Sequence, residues 1–266
     1  MKLGIATFPP LSFRAAGMWI GLALLWLFLR LRKTPLTVPR TAWPELGKLA
    51  ITNVVIWHVL AIVSLQQLSS GRAAILGYTM PIFSALLGYA VFGERLAPRQ
   101  LAGVGAAAVG VALLVWHELG AAFGHPLAAF GMLFAAATWA LGTQLLRRTR
   151  LTLPILALIF WMTAITTLVM TLLAIAFESP RWHVPDEAAL FGIVYNAVLI
   201  IAFAQPVWLW LARTLPPIAS TLSVMMIPVL GTLSGAWALH EQLYWQDAAA
   251  MLLMLVAIAS VLAPKR

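Results

Sequence analysis

The sequence predicts an all-α integral membrane protein, and three observations carry that prediction. Of its 266 residues, 62% are hydrophobic and only 9% charged, against roughly 45–50% and about 25% in a soluble domain. The apolar residues fall in nine long, continuous runs rich in Leu and Ala. None of these runs shows the period-two alternation of a lipid-facing strand, which excludes a barrel. A surface with so few charges would not stay dissolved, so a soluble enzyme, a nucleic-acid-binding module and a disordered chain are excluded at the same step. The formal charge of +9 sits in short clusters between apolar runs instead of along one amphipathic face, and it reads as a topology signal. There is no cysteine, hence no disulfide, thiolate metal site or cysteine nucleophile. Met1 to Leu11 lack the ordered regions of a cleavable signal peptide.

A bilayer core of about 30 Å takes roughly 20 helical residues. Dividing the apolar runs at that length, and at Gly, Pro and charge, gives nine spans. The first, 11–31, ends on the basic cluster of Arg30, Arg32 and Lys33. The second, 46–66, holds Asn53, Trp57 and His58, and the third, 72–92, carries Pro81 close to its midpoint. The fourth, 98–117, includes Gly103-x-Gly105, and the fifth, 127–147, runs through Trp139 to Arg147-Arg148. After 153–177 comes 189–211 with Asn196, Gln205 and Trp208; the last two are 218–238, centred on Pro228, and 245–263.

Basic residues accumulate in short cytoplasmic loops. If the loop after the first span is cytoplasmic, that side receives Arg30, Arg32, Lys33, Arg40, Lys48, Arg95, Arg99, Arg147, Arg148, Arg150, Arg213, Lys265 and Arg266. The other side keeps Lys2, Arg14, Arg72 and Arg181. Thirteen against four places the C-terminus in the cytoplasm and the loop around Glu178, Asp186 and Glu187 outside.

Sliding the sequence along itself gives a match at an offset of 147 residues, where Ala73–Glu94 lies over Ser220–Glu241. Pro81 falls on Pro228, Gly88 on Gly235 and Glu94 on Glu241. Glu94 ends on the cytoplasmic side and Glu241 on the external side, so the pattern predicts an inverted repeat, 1–120 and 121–266, about a pseudo-twofold axis in the membrane plane. The second half has five spans beginning near Leu127, whereas the first has four plus Met1–Ile5. The expectation is a five-plus-five fold whose first helix, of about 15 to 20 residues, is largely missing.

The run Gly71–Leu96 (GRAAILGYTMPIFSALLGYAVFGERL), the stretch Trp139-Ala140-Leu141-Gly142 followed by Arg147-Arg148, and the second Pro and Glu at Pro228 and Glu241 resemble the drug/metabolite transporter superfamily, EamA type, over essentially the whole chain. The resemblance implies a ten-helix bacterial inner-membrane carrier, generally an exporter of metabolites such as amino acids, with both termini cytoplasmic. It also implies a central cavity to which the first helix contributes, and a basic residue about one turn deeper than Arg14, near Gly17.

Within the spans, a mid-helix proline at Pro81 or Pro228 removes one backbone hydrogen bond and frees a carbonyl near Gly77 or Val224, which points to a water-lined cavity or a hinge. A packing kink is the alternative. His58 is an ionisable group at a depth where polarity is expensive, and the repeat makes Gln205 its counterpart; a hydrogen bond to a neighbouring helix would also explain it. Asn53 and Asn196 are further polar groups inside spans. Trp57, Tyr78 and Trp139 lie at mid-depth, where they and Trp208 suit an aromatic cavity wall. Trp19, Trp43, Trp116, Trp182 and Trp245, near span ends, read as interface anchors. Ser84-xxx-Gly88 and Gly231-xxx-Gly235 have small-residue spacing for close helix approach. Glu94 and Glu241 are expected to cap the helix that follows each of them, and Arg14 either attracts a carboxylate near the external side or snorkels outward.

Several catalytic patterns fail on spacing. His117-Glu118 and His240-Glu241 begin a zinc-protease motif, but Ala121 and Tyr244 stand where its second histidine belongs. Ser234-Gly235 is preceded by Thr232 instead of glycine, Gly103-x-Gly105 lies inside an apolar run, and there is no P-loop. No enzyme, cofactor, metal or nucleic-acid partner is expected. The partners are the lipid bilayer and a small-molecule substrate exported by alternating access around a midplane cavity. The rival reading is a non-transporting membrane scaffold or subunit, or an inactive truncated carrier.

Overall fold

The computed structural model describes residues 2–93, 95, 98–120, 124–214 and 227–262, and among these there is no strand. Helices α1 (Lys2–Thr7) and α2 (Pro10–Leu31) are followed by α3 (Trp43–Ala50), which runs through a π-helical stretch, Ile51–Val55, into α4 (Ile56–Gln67). Next come α5 (Ser70–Gly77), α6 (Met80–Ala90), α7 (Pro98–Gly120), α8 (Pro126–Arg148) and α9 (Ile155–Glu178). Helix α10 (Glu187–Tyr195) continues through a second π-helical stretch, Asn196–Ala204, into α11 (Gln205–Thr214). The last described helices are α12 (Ile227–Leu239) and α13 (Trp245–Leu262).

Helix is the form these apolar runs take because each backbone N–H finds its acceptor inside the segment, where hydrocarbon supplies none. Proline marks the entrances: Pro10, Pro98 and Pro126 open α2, α7 and α8, and Pro44 and Pro81 sit in the first turns of α3 and α6. Its missing N–H costs nothing at such a position. Helix α2 ends on Lys33, at φ 53, with the Thr34 N–H returning 3.0 Å to the Leu29 carbonyl, a left-handed closure that satisfies the last carbonyls.

Among the described residues, six helical segments are long and apolar enough to cross a membrane, by length and composition alone: Pro10–Leu31, Arg40–Gln67, Ser70–Ala90, Pro126–Arg148, Ile155–Arg181 and Glu187–Leu211. Each coincides with an expected span. The spans expected at 98–117 and 245–263 fall on α7 and α13. The span expected at 218–238 begins on residues outside those described, as do Glu94, Lys265 and Arg266. The third span is not one kinked helix. The chain breaks at Tyr78–Thr79, so Pro81 lies in the first turn of a new helix.

The chain forms two compact units. The first joins Met1–Gln66 to Leu145–Thr214. Here α2 packs along α9 and along the stretch Asn196–Ala204, α3 packs on α9, and α1 on α10. One buried cluster gathers Leu22, Leu25, Leu29, Leu46, Leu49, Leu158 and Met162, and another gathers Phe13, Met18, Ile62, Met170, Ile193 and Ile201. The second unit joins Gln67–Gln144 to Leu215–Arg266. Its main pairings are α7 with α13 and α5 with α12, and small residues line them, among them Ala73, Ala107, Ala250 and Ala257. A Cβ on Gly103 would come within 2.8 Å of the Ala257 carbonyl, and one on Gly110 within 3.3 Å of the Ala250 carbonyl. Helices this close gain dispersion contacts that lipid tails would otherwise supply.

Candidate functional site

In the first unit, two helices that each carry a π-helical stretch deliver buried polar side chains. Asn53 lies within the first stretch and His58 in the opening turn of α4; Asn196 begins the second stretch and Gln205 begins α11. Wide turns of this kind re-aim the residues after them and recur at functional sites. His58 is 4% exposed and Gln205 8%. The two meet, His58 Nε2 lying 3.0 Å from Gln205 Oε1. Gln205 Nε2 donates in turn to Thr163 Oγ1 at 3.2 Å. On α9 the hydroxyls of Thr166, Thr167 and Thr171 each donate 2.8 Å back to a carbonyl one turn earlier, while Thr163 receives the amide. Two buried ring nitrogens in this unit, His58 Nδ1 and Trp208 Nε1, have no hydrogen-bond partner among the described residues.

Arg14 does not snorkel outward. It is 5% exposed, and its Nη1 donates 3.2 Å to Asn196 Oδ1, whose own amide nitrogen donates 2.9 Å to the Gly192 carbonyl. Gly17, one turn further along α2, faces Ile193 and Asn196 closely enough that a Cβ would lie 3.4 Å from the Ile193 carbonyl. A guanidinium and three buried amides therefore belong to the helices of this unit. Cations and amides are expensive to bury in hydrocarbon without partners. Asn53 is buried, and Trp57 and Trp208 are half-buried.

The same unit is closed at one end by a carboxylate. Glu178, at the end of α9, accepts from the Leu11 N–H at 3.0 Å, and from the Ser12 N–H and hydroxyl at 2.7 Å each. Trp182 Nε1 also reaches Ser12 Oγ, at 2.8 Å. At other contacts Thr149 Oγ1 donates to Glu45, and the Trp161 indole donates 2.8 Å to the Leu36 carbonyl.

The second unit holds the remaining candidates. Tyr78 is half-buried at the break between α5 and α6, where Thr79 Oγ1 donates 2.6 Å to the Leu76 carbonyl. Trp139 is half-buried on α8; Pro81 stands in the first turn of α6, and Pro228 lies on α12. Glu241 caps a helix, as expected of a carboxylate there, but not the one that follows it. Its oxygens accept from the Ser70 N–H at 3.0 and 2.9 Å and from the Ser70 hydroxyl at 3.0 Å, at the start of α5. The helix after Glu241 has its own carboxylate, Asp247, which accepts from the Tyr244 N–H and pairs with Arg72 at 3.0 Å. Arg72 also lies over the Tyr244 ring. Gln144 donates to the Ser84 carbonyl and hydroxyl at 3.0 and 3.1 Å. The anchors Trp19, Trp43, Trp116, Trp182 and Trp245 are all exposed. Among the described residues no cluster of His, Cys, Asp and Glu could hold a metal ion.

Compared with known proteins, the chain matches the EamA-like transporter family over residues 1–116 and 126–263. It is 24% identical to the uncharacterized transporter YoaV of Bacillus subtilis, covering 91% of this chain and 84% of that one. It is 27% identical to the uncharacterized inner membrane transporter YedA of Escherichia coli, covering 88% and 76%. A probable amino-acid metabolite efflux pump of Salmonella typhimurium is 26% identical over 71% of this chain and 66% of its own. A solved crystal structure superposes over 98% of this chain and 90% of its own with a TM-score of 0.71 at 22% identity, a likeness of fold.

Proposed function

The chain belongs to the EamA-like transporter family and is a multi-pass membrane protein, and from that premise we propose that it exports a small metabolite, an amino acid or related amphiphile, by alternating access across the inner membrane with its C-terminus in the cytoplasm. The observation that carries this reading is the buried polar chain of the first unit, Arg14 to Asn196 and His58 through Gln205 to Thr163. Packing alone gives membrane helices no reason to bury a guanidinium and several amides. The efflux-pump name of the Salmonella relative supports the substrate class, and the half-buried Trp57 and Trp208 suit an amphiphile with an apolar side chain.

The inverted repeat, 1–120 and 121–266, is the device by which such a carrier turns from one side to the other. Its offset of 147 is supported by contacts that come in mates. Adding the offset to Gly103 gives Ala250, and subtracting it from Ala257 gives Gly110, so the Gly103–Ala257 approach has the Gly110–Ala250 approach as its counterpart. The borders of the compact units fall in the same register, since Gln66 maps to Arg213, beside the border at Thr214.

Purified protein reconstituted in liposomes and offered a panel of labelled L-amino acids tests the reading. A carrier gives saturable uptake that accelerates with unlabelled amino acid on the far side. Uptake that stays linear in concentration for every member of the panel would sink it.

A further inference from the structure

We propose that the His58–Gln205 contact is the point at which the carried molecule is held, with His58 Nδ1 accepting a hydrogen bond from an N–H group of the ligand, the ammonium group of an amino acid being the fitting donor. This rests on the transporter reading and assigns the chemistry of one point in it. Gln205 Oε1 is an acceptor only, and the amide nitrogen of the same side chain is engaged by Thr163 Oγ1. The imidazole proton therefore belongs on Nε2, and Nδ1 presents a lone pair. That nitrogen is buried and has no donor among the described residues. A buried acceptor left without a donor is an expense that native structures rarely carry without a use.

A second buried atom complements it. Trp208 Nε1 is a donor with no acceptor among the described residues, and Trp208 follows Gln205 by three positions on α11, so the two side chains share a face. An unpartnered donor on the same face of α11 as Gln205 suits a ligand that carries an oxygen as well as an N–H.

The register of the repeat gives the pair a special position. His58 and Gln205 are 147 residues apart, so the contact maps onto itself. When two inverted halves exchange conformations, a contact between equivalent residues survives, whereas other contacts are exchanged for their mates. A ligand held at this contact meets the same atoms whichever side is open.

Imidazole isosteres separate the two nitrogens, because a glutamine side chain reproduces Nε2 and an asparagine side chain reproduces Nδ1. The probes are labelled L-amino acids and their N,N,N-trimethyl derivatives, scored both by ligand-induced thermal shift in detergent and by liposome flux. The expected result is that His58→Gln keeps the unliganded melting temperature near wild type but binds the amino acids about tenfold more weakly, the worth of one hydrogen bond. Trimethylation should weaken wild type by a similar factor and His58→Gln no further. His58→Asn should keep the affinity and melt earlier. Equal binding by wild type and His58→Gln, or of an amino acid and its trimethyl derivative by wild type, overturns the proposal, as does a panel in which nothing shifts the melting temperature. Ligands that bind with this His58 dependence but are never carried would leave the site standing and sink the transporter reading instead.

Discussion

Removing the Glu178 carboxylate should loosen the first unit by an amount its geometry fixes. The start of α2 has few donors to satisfy: Pro10 has no N–H, and the Phe13 N–H already reaches the Pro9 carbonyl at 2.8 Å. The donors left are those of Leu11 and Ser12, and Glu178 takes both together with the Ser12 hydroxyl. The carboxylate is 1% exposed, so water does not replace it freely. Hydrogen bonds to a charged acceptor are worth about 1.5–3 kcal/mol each, and with partial relaxation Glu178→Ala should lose roughly 4 kcal/mol. Glu178→Gln keeps one acceptor oxygen and should lose about 2 kcal/mol. At roughly 2–4 °C per kcal/mol for a chain of this size, the melting temperature in detergent should fall by about 10 °C and about 5 °C respectively. Ser12→Ala combined with Glu178→Gln should cost less than the sum of the single changes, since both remove the same bond. A Glu178→Ala protein melting within about 2 °C of wild type would refute the argument that this carboxylate closes α2.

Three further outcomes follow from particular residues. A Cβ on Gly103 meets the Ala257 carbonyl whereas one on Gly105 meets nothing within 4 Å, so Gly103→Ala should lower the melting temperature and Gly105→Ala should raise it slightly, by the helix preference of about 1 kcal/mol; equal effects would dissolve the claimed close approach. His183 is exposed after α9, and since the chain has no cysteine, His183→Cys should react with a membrane-impermeant maleimide from outside the cell; reaction only after the cytoplasmic face is opened inverts the topology. Asp186 accepts the Ala189 N–H at 2.8 Å, and this bond, followed by one from Thr7, holds its carboxyl below the ordinary 3.8. A depressed carboxyl stabilises the fold above its unfolded value and loses that contribution as pH falls through the folded one. Amide-exchange protection at the start of α10 should therefore persist below pH 3.8 in wild type and lose its pH dependence in Asp186→Asn; protection already lost at higher pH contradicts this.

What the sequence made legible is what depends on composition and register. The apolar runs mark the helices because lipid leaves a backbone no other choice, and among the described residues six of the nine expected spans fall on helical segments of crossing length. The offset of 147 places His58 opposite Gln205 in the sequence, and these two side chains are in contact. Contacts between residues of unrelated register were not legible. Glu241 precedes the helix next in sequence, but it accepts from the N–H and hydroxyl of Ser70, 171 residues away. Arg14 looked peripheral from its place near a span end, yet the Asn196 amide draws it inward. Thr163 and Gln144 passed unnoticed among other polar residues, although a lone amide late in an apolar run such as Gln144 is a signal that could have been weighed. The break at Tyr78–Thr79 is not legible from Pro81, since a proline alone does not say whether the helix around it continues.

The π-helical stretch Ile51–Val55 makes this fold sensitive to length in a place where length looks unimportant. Such a stretch accommodates an additional residue without ending the helix, and each residue added to or taken from an α-helix rotates everything beyond it by about 100°. His58 begins its approach to Gln205 only three residues past Val55. Loss of a single residue there would leave a more regular, equally apolar helix that still crosses the bilayer and still inserts, while turning His58 toward another neighbour altogether. Among descendants of this chain, single-residue deletions in 51–55 would thus be silent in hydropathy and topology but would erase the pairing, whereas the same deletion in a surface loop would leave it intact.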